Sequence, residues 1–372
     1  MGLKVYSSTL DICNLCSNGI KTALESVASD RICGVVLCGT TTAVPYHNLL
    51  KRLKSIICNS LGRNVPVTLI PQYLLPQGGL SLEIYTLDGD SEIKIGVQNG
   101  TCYAHIENDE ESALIIEGIP SSDFSKSVHQ QSEEVFGKLN GLLSSFGFAI
   151  DDIVRQWNYI GNIVSCRDGK QNYQEFNDAR SRYYSQGEWR NGYPAATGIG
   201  ISGEGIIVGG IAFKRAEHIS NCVFPIDNPL QVAAHIYSKS VLIDNDLNAM
   251  KSTPKFERAK LIETKGGAYC FVSGTAAIRG EQSINSTSAR QQTIMTIENI
   301  EHLVSSQNLI NHGCRGYDLK YTKLHIFIKN PKDYEQVKSV AEQAYPHLPI
   351  VYTVADVCRD ELLVEIEGIL IS

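Results

Sequence analysis

An internal repeat constrains this sequence more than any other feature. Residues 127–145 align without a gap with residues 288–306, and both stretches begin Ser-x-x-Gln-Gln. Each has apolar residues at helical spacing and follows a strand-like run, at residues 113–118 in the first copy and 269–274 in the second. Repetition of a strand, a turn and a helix in the same order indicates duplication of one folding module.

The similarity continues beyond the two helices. The strand-like strings Gln156-Trp-Asn-Tyr-Ile160 and Leu324-His-Ile-Phe-Ile328 also match, and the later copy is predicted to add a helix at 332–344 and a strand at 362–371. Such modules predict an α+β fold in which helices pack on one face of mixed sheets. A length of 372 residues leaves room for a third, degenerate copy, which no residue match marks. A single chain that imitates a trimer is therefore a hypothesis suggested by length.

Three units follow from this pattern. Residues 1–110 are predicted to form an N-terminal α/β module, the candidate third repeat. Residues 111–255 are predicted to form the first clear module with a substrate-binding insertion, and residues 256–372 the C-terminal module, which would carry the catalytic acid.

Composition excludes several classes of function. With 43% apolar and 20% charged residues the chain is globular rather than disordered, and a net charge of −7 argues against a nucleic-acid partner. No apolar run approaches the roughly 20 residues that span a bilayer, so we expect a cytoplasmic protein without a membrane partner.

Metal and nucleotide sites are also not predicted. Cys13 and Cys16 form the one CxxC pair among 11 cysteines, and no second pair at zinc-site spacing accompanies it. The string Gly198-Ile-Gly-Ile-Ser-Gly203 fits a dinucleotide motif, but strand-like rather than helical residues follow it. We therefore expect neither a metal nor a cofactor.

Several strings in the second copy carry a family resemblance. Phe271-Val-Ser-Gly274, Gln292-Thr293, Glu298-Asn-Ile300 and Val364-Glu-Ile-Glu367 occur in the order and spacing typical of the Rid (YjgF-type) superfamily. The resemblance implies chorismate-mutase-like modules. Small members of that superfamily form trimers with acid–base sites in the clefts between subunits.

Three further strings resemble the chorismatase branch of that superfamily. They are Val154-Arg-Gln-Trp-Asn-Tyr-Ile160, Tyr173-Gln-Glu-Phe-Asn-Asp-Ala-Arg180 and Tyr193-Pro-Ala-Ala-Thr-Gly-Ile-Gly200. The resemblance covers roughly residues 110–372. It implies cofactor-free cleavage of chorismate, a small dicarboxylate, to pyruvate plus either 3-hydroxybenzoate or a dihydroxycyclohexadiene carboxylate. The internal repeat, with both copies in one chain, predicts a monomer or at most a weak dimer.

Cleavage of the enolpyruvyl ether of chorismate requires a proton donor that stays protonated near neutral pH. Glu365 lies among aliphatic residues in a predicted strand, where an unpaired carboxylate is costly to bury, and a carboxyl in an apolar pocket has a raised pKa. The catalytic Glu of the family falls on the same position. Glu365 is therefore the predicted general acid, and Glu367 is predicted to be a structural or rim residue.

The predicted substrate-binding residues come from three segments. Tyr173, Asn177 and Arg180 share one face if their segment is helical, and guanidinium groups suit carboxylates because they donate two parallel hydrogen bonds. An ordinary surface helix explains these three residues equally well. Trp157 could line the pocket or the core, and Gly274 completes the set.

Cys358 lies seven residues before Glu365 in the sequence. In chorismatases a Cys rather than an Ala at about this position resembles the type that makes 3-hydroxybenzoate. An ordinary buried thiol is the alternative interpretation.

Two other functions stay open at this point. A Rid-type imine deaminase would use an Arg roughly fifteen residues before the catalytic Glu, but residues 349–354 contain none. A non-catalytic protein that binds a small carboxylate is the third hypothesis.

Overall fold

The computed structural model describes residues 2–10, 17–40, 44–89, 91–167, 169–216, 222–238, 252–284 and 288–372. The predicted Cys13/Cys16 pair lies outside these residues. In the described chain, no helix is long and apolar enough to cross a membrane.

The first unit is a four-stranded sheet with two helices. Its elements are β1 Gly2–Leu10, α1 Ser17–Glu25, β2 Ile32–Cys38, α2 Tyr46–Leu61, β3 Val67–Ile70, β4 Tyr73–Leu74 and β5 Leu80–Asp88. The strand order is β1-β5-β2-β3, with β2 parallel to β3 and β5 antiparallel to both of its neighbours.

The middle unit is a six-stranded sheet. Its elements are β6 Glu92–Gln98, β7 Thr101–Glu107, β8 Glu111–Pro120, α3 Val128–Ser145, β9 Ile153–Gly161, β10 Cys166–Arg167, β11 Lys170–Gln171, α4 Asn172–Tyr184, β12 Ala195–Ile201 and β13 Ile206–Arg215. The order is β12-β9-β13-β8-β7-β6, and β10 and β11 form a separate hairpin.

The last unit is a seven-stranded sheet. Its elements are β14 Val223–Ile226, β15 Ala259–Thr264, β16 Gly267–Ala276, β17 Ile278–Arg279, β18 Gln282–Ser283, α5 Ala289–Val304, α6 Ser306–Asn311, β19 Lys320–Ile328, α7 Tyr334–Ala344, β20 Ile350–Val354 and β21 Val364–Ile371. The order is β14-β15-β16-β21-β19-β20-β4, and β17 and β18 form a separate hairpin.

One connection pattern is common to the three sheets. A strand and a helix lead to a second strand, another helix leads to a third strand parallel to the second, and a last strand inserts antiparallel between the first and the second. The strands in these four roles are β1, β2, β3 and β5, then β8, β9, β12 and β13, then β16, β19, β20 and β21. The predicted α+β fold of repeated modules in one pseudo-trimeric chain is confirmed.

The two helices of the sequence repeat start in the same way. The Ser127 hydroxyl accepts a hydrogen bond from the Gln130 N–H at 3.2 Å, and the Ser288 hydroxyl accepts one from the Gln291 N–H at 3.4 Å. A serine at the N-cap satisfies a backbone donor that the helix itself leaves free. The shared Ser-x-x-Gln pattern therefore marks the start of both helices.

The sheets do not divide at the predicted limits of 110 and 255. The hairpin of β6 and β7 pairs with β8 in the middle sheet, so that sheet begins near residue 92. β14 pairs with β15 and already belongs to the last sheet, while β4 from the first unit pairs with β20. Hydrogen-bonded strands of one sheet thus lie on both sides of the limits that the residue pattern predicts at 110 and 255. The division into domains stays a prediction.

Helices cover the outer faces of the sheets, and the inner faces meet in one central core. Apolar residues of all three units contact each other there, including Leu3, Ile211 and Phe271. Burial of apolar surface from three sheets in one cluster ties the modules together.

A buried polar network crosses this centre. Lys323 of the last unit donates to Glu83 of the first unit and, at 3.1 Å, to the Tyr85 hydroxyl. Arg155 of the middle unit donates to Glu367 of the last unit at 2.7 Å. Charges in a buried site require such partners, so these ion pairs link the three modules at fixed positions.

Removal of one partner from the central network should be costly. Lys323→Met is expected to lower the free energy of unfolding by about 3–5 kcal/mol, because Glu83 stays buried without its cation. The double variant Lys323→Met/Glu83→Gln should recover most of this loss, as measured by urea denaturation. Equal unfolding midpoints for the single and double variants would contradict the role of the pair.

Candidate active site

A cavity opens between the middle and last units, with an empty volume of about 630 Å³. One wall comes from β11 and α4, and the other comes from β16, β21 and the connection before β21. Its lining includes four of the predicted site residues beside the predicted acid: Tyr173, Asn177, Gly274 and Cys358 together with Glu365. The structure thus brings together residues that lie far apart in the sequence.

Glu365 projects from β21 into this cavity and is only 5% exposed. Its backbone is opposite Ala276 on β16 and Phe327 on β19. The register of β16 shifts next to Gly274, where a Cβ would lie 2.0 Å from Glu365 Oε1. A side chain at residue 274 would therefore displace the Glu365 carboxyl from this position.

The environment of Glu365 favours its neutral form. Burial raises the pKa of Glu365 to about 8; the negative charge of Glu367 acts in the same direction, and Arg155 and Arg258 oppose it only in part. Within the described chain, its carboxyl has electrostatic neighbours but no hydrogen-bond donor that would stabilise the anion. At pH 7 a carboxyl with this pKa is mostly protonated.

Glu367 has the opposite environment although it lies on the same strand. Its carboxylate accepts hydrogen bonds from Arg155 Nη2 at 2.7 Å, from Thr197 Oγ1 at 2.5 Å and from Trp157 Nε1 at 3.2 Å. Burial alone would raise the pKa of Glu367, but Arg155, His325 and Lys323 outweigh that effect and leave the pKa below its usual value. Glu367 is therefore a buried, ionised structural residue and not a rim residue.

The α4 residues divide between the cavity wall and the layer behind it. Tyr173 and Asn177 line the cavity, whereas Arg180 lies behind them and donates to Asn177 Oδ1 at 2.6 Å. The amide nitrogen of Asn177 and Nε of Arg180 are buried and have no hydrogen-bond partner within the described residues. A ligand in the cavity can satisfy the Asn177 donor, while Arg180 orients that amide.

Cys358 contributes an uncharged thiol to the cavity. Burial, together with a smaller effect of the neighbouring Glu365, raises the pKa of the thiol to about 12. A thiol in this environment stays protonated at neutral pH, so it shapes the cavity rather than acting as a nucleophile.

The prediction that Trp157 contacts the substrate requires a correction. Trp157 does not line the cavity of Glu365; it lines a second cavity at the centre of the molecule, beside Glu83, Lys323 and Glu367. Alternation along β9 places its side chain on the inner face of the sheet, where its indole N–H binds Glu367.

Two arginines of the cavity were not among the predicted site residues. Arg258 immediately precedes β15; its Nη2 donates to the Val232 carbonyl at 2.7 Å and to the Tyr237 hydroxyl, and its Nε has no partner among the described residues. Arg359 donates to the Glu281 carbonyl and to Ser283 Oγ, both at 3.0 Å.

Arg258 and Arg359 differ in how far the sequence could indicate that they lie at the cavity. Arg359 follows Cys358 directly, so its proximity was visible in the sequence. Arg258 lies outside every recognised string, and only the packing of the last sheet brings it to the cavity. The remaining lining residues are Gln171, Gln174, Tyr237, Pro254, Phe256, Ala276, Ile278 and Leu362.

Comparison with known proteins identifies the family. A family model described as "Chorismatase FkbO/Hyg5-like, N-terminal" matches residues 85–212. A 3-hydroxybenzoate synthase from Streptomyces hygroscopicus is 30% identical over 296 residues, which cover 77% of this chain and 80% of that protein. A chorismatase from Streptomyces rapamycinicus is 28% identical over 242 residues, or 63% of this chain and 68% of the relative.

The fold of this chain also matches that of a chorismatase. The crystal structure of a chorismatase matches with a TM-score of 0.70 at 20% identity, and the match covers 100% of this chain and 99% of the other. Sequence similarity over most of both chains, the repeated modules and the shared fold lead to one conclusion: this chain belongs to the chorismatase family.

Proposed function

We propose that this protein cleaves chorismate to pyruvate and 3-hydroxybenzoate, with Glu365 as the general acid. One observation carries the proposal: a buried carboxyl that is protonated at neutral pH faces a cavity lined by the guanidinium groups of Arg258 and Arg359. The names of the relatives, a 3-hydroxybenzoate synthase and chorismatases, support this choice of reaction.

The first step is a proton transfer. Glu365 gives its proton to the methylene carbon of the enolpyruvyl ether, whose double-bond electrons form the new C–H bond. The carbon attached to the ether oxygen becomes an oxocarbenium-like cation. A carboxyl with a pKa of about 8 suits this task, because it is protonated near pH 7 and still acidic enough to donate.

The second step decides which product forms. In the route without water, the oxygen of the neighbouring ring hydroxyl attacks the ring carbon that bears the ether and forms an epoxide, while the bond from that carbon to the ether oxygen breaks and its electron pair leaves with pyruvate. The proton of the hydroxyl replaces the one that Glu365 gave up. The epoxide opens at its bond to the former hydroxyl carbon, the carbon that keeps the oxygen loses its ring proton, and the oxygen takes up a proton. The ring then aromatises to 3-hydroxybenzoate. Capture by water instead yields pyruvate and a dihydroxycyclohexadiene carboxylate. Cys358 lies in the cavity wall beside Glu365, so its volume affects whether water or the ring hydroxyl attacks the protonated ether.

The two carboxylates of chorismate require cationic or hydrogen-bonding partners. Arg258 and Arg359 supply positive charge on one side of the cavity, and Tyr173 and Asn177 supply polar groups on the α4 side. Nε of Arg258 has no hydrogen-bond partner among the described residues, and the guanidinium group lines the cavity, where a carboxylate can pair with its charge. We assign Arg258, rather than Arg180, as the main carboxylate-binding arginine.

Both walls of the cavity belong to the same chain. Small Rid-type proteins need subunit contacts to build their clefts, whereas here α4 and β21 of one molecule face each other. We therefore propose that a monomer is sufficient for activity, with at most weak dimerisation.

Glu365→Gln should separate proton transfer from binding. Turnover is expected to fall by roughly 10² or more, the usual range for the loss of general-acid catalysis, while KM stays near the normal value. Pyruvate release coupled to lactate dehydrogenase measures both parameters. Glu361→Gln, which changes an exposed carboxylate just before the same strand, is the matched control. Near-normal turnover of Glu365→Gln would remove this residue from the mechanism.

The pH dependence follows from the protonation state of the same residue. Because the acid must be protonated, kcat/KM should fall above an apparent pKa of about 8, tenfold for each pH unit at higher pH. Initial rates between pH 6 and 10, with thermal unfolding at each pH as the control, test this. A rate that rises through this range would show that a deprotonated base is required.

Cys358→Ala should change the product ratio and preserve early chemistry. Removal of the sulfur admits water to the cation, and a shift of about 1.4 kcal/mol in relative barriers changes the partition tenfold. We expect more of the dihydroxycyclohexadiene carboxylate, measured by chromatography. Cys314→Ala, at a buried thiol outside the cavity, is the control. An unchanged product ratio would exclude Cys358 as the determinant.

A further inference from the structure

A three-residue assembly lies directly beside the proposed acid and has no part in the chemistry described so far. Arg155, Thr197 and Glu367 are 1%, 1% and 3% exposed. Arg155 Nη2 donates to Glu367 at 2.7 Å and to Thr197 Oγ1 at 2.8 Å, and the Thr197 hydroxyl donates to Glu367 at 2.5 Å. Each member thus contacts the other two.

This assembly reaches Glu365 in two ways. Glu365 and Glu367 are alternate residues of β21, so their side chains share one face of the strand. In addition, the Gly274 N–H donates to Thr197 Oγ1 at 3.1 Å, and Gly274 is the residue against which the Glu365 carboxyl rests. One link is electrostatic and the other is a direct hydrogen bond to the cavity wall.

Glu367 cannot easily act as an acid itself. Its carboxylate accepts hydrogen bonds from Arg155, Thr197 and Trp157, and such donors stabilise the anion. It also lines the central cavity rather than the cavity that contains Glu365. Its charge is therefore permanent at neutral pH and fixed in position.

We propose that Glu367, held by Arg155 and Thr197, is a positioning residue whose fixed negative charge keeps Glu365 in the proton-donating form. The inference rests on the proposed function, since it assigns a role relative to the acid of that reaction. Thr197 acts in the same assembly by holding Gly274 at the distance that the Glu365 carboxyl requires.

Other groups also act on Glu365. Arg258 faces it from the segment before β15, Tyr173 faces it from α4, and Cys358 and Arg359 line the same cavity from the connection before β21. The thiol and phenol are neutral at neutral pH because burial raises the pKa of both. Unlike these facing groups, Glu367 carries a fixed negative charge, which disfavours the Glu365 anion.

The test uses the pH profile of the intact enzyme. Glu367→Gln keeps the size of the side chain but removes its charge and leaves Arg155 without a counter-ion. The alkaline limb of kcat/KM should move to lower pH by about one to two units, from the interaction of two charges on alternate strand residues.

The double variant Arg155→Gln/Glu367→Gln separates charge from packing. The double variant lacks both charges. The pH at which its kcat/KM falls should therefore lie closer to the wild-type value than in Glu367→Gln. A purely structural role would instead lower kcat/KM equally at every pH and leave the limb in place. That result in the folded variants would overturn the inference.

An infrared titration gives a readout that does not depend on turnover. The difference spectrum between wild type and Glu365→Gln assigns the Glu365 carboxyl band, and its midpoint should shift in Glu367→Gln as the kinetic limb does. If Glu365→Gln retains turnover while the band still shifts, the proposed function fails and the electrostatic role of Glu367 stands. If turnover is lost in Glu365→Gln but the band does not shift in Glu367→Gln, the inference fails alone.

Discussion

Two carboxylates on alternate residues of one buried strand cannot both be ionised without compensation, and the site depends on how this constraint is met. Arg155 and its neighbours stabilise the anion of Glu367, whereas the Glu365 carboxyl accepts no hydrogen bond from the described residues. Environments that push the pKa values of two acids apart are a common basis for acid–base roles. The central network therefore connects the three modules, and the charge of Glu367 within it adds to the effect of burial on the pKa of Glu365.

The modular architecture explains why this chain concentrates its chemistry in one cleft. Glu365 is opposite Phe327 in its sheet; the corresponding pairs in the other two sheets are Ile207 with Tyr159 and Ser81 with Cys38. Phe327, Tyr159 and Cys38 meet in one core cluster, which supports their equivalence. The three equivalent positions are thus occupied by a carboxyl side chain in Glu365, an aliphatic one in Ile207 and a hydroxyl one in Ser81. One module of the three therefore carries a carboxyl there.

The repeat and a buried carboxyl at Glu365 were predictable from the sequence because both leave local signals. The Ser-x-x-Gln starts of α3 and α5 are visible as identical residues, and Glu365 stands out among aliphatic neighbours. The module in residues 2–88 left no such signal, because its topology depends on backbone hydrogen bonds and on burial that many sequences satisfy. The position of Trp157 in the pocket or the core could not be decided from the sequence, because the alternation of a strand does not distinguish two neighbouring cavities. Arg258 enters the site only through packing between distant segments.

The most direct test of the central claim is proton NMR of chorismate incubated with the purified protein. The account predicts that the enolpyruvyl and ring-diene signals decay while pyruvate and 3-hydroxybenzoate appear in equal amounts. Chorismate that decays only at the rate seen in buffer would contradict the assignment of this cavity as a site of ether cleavage.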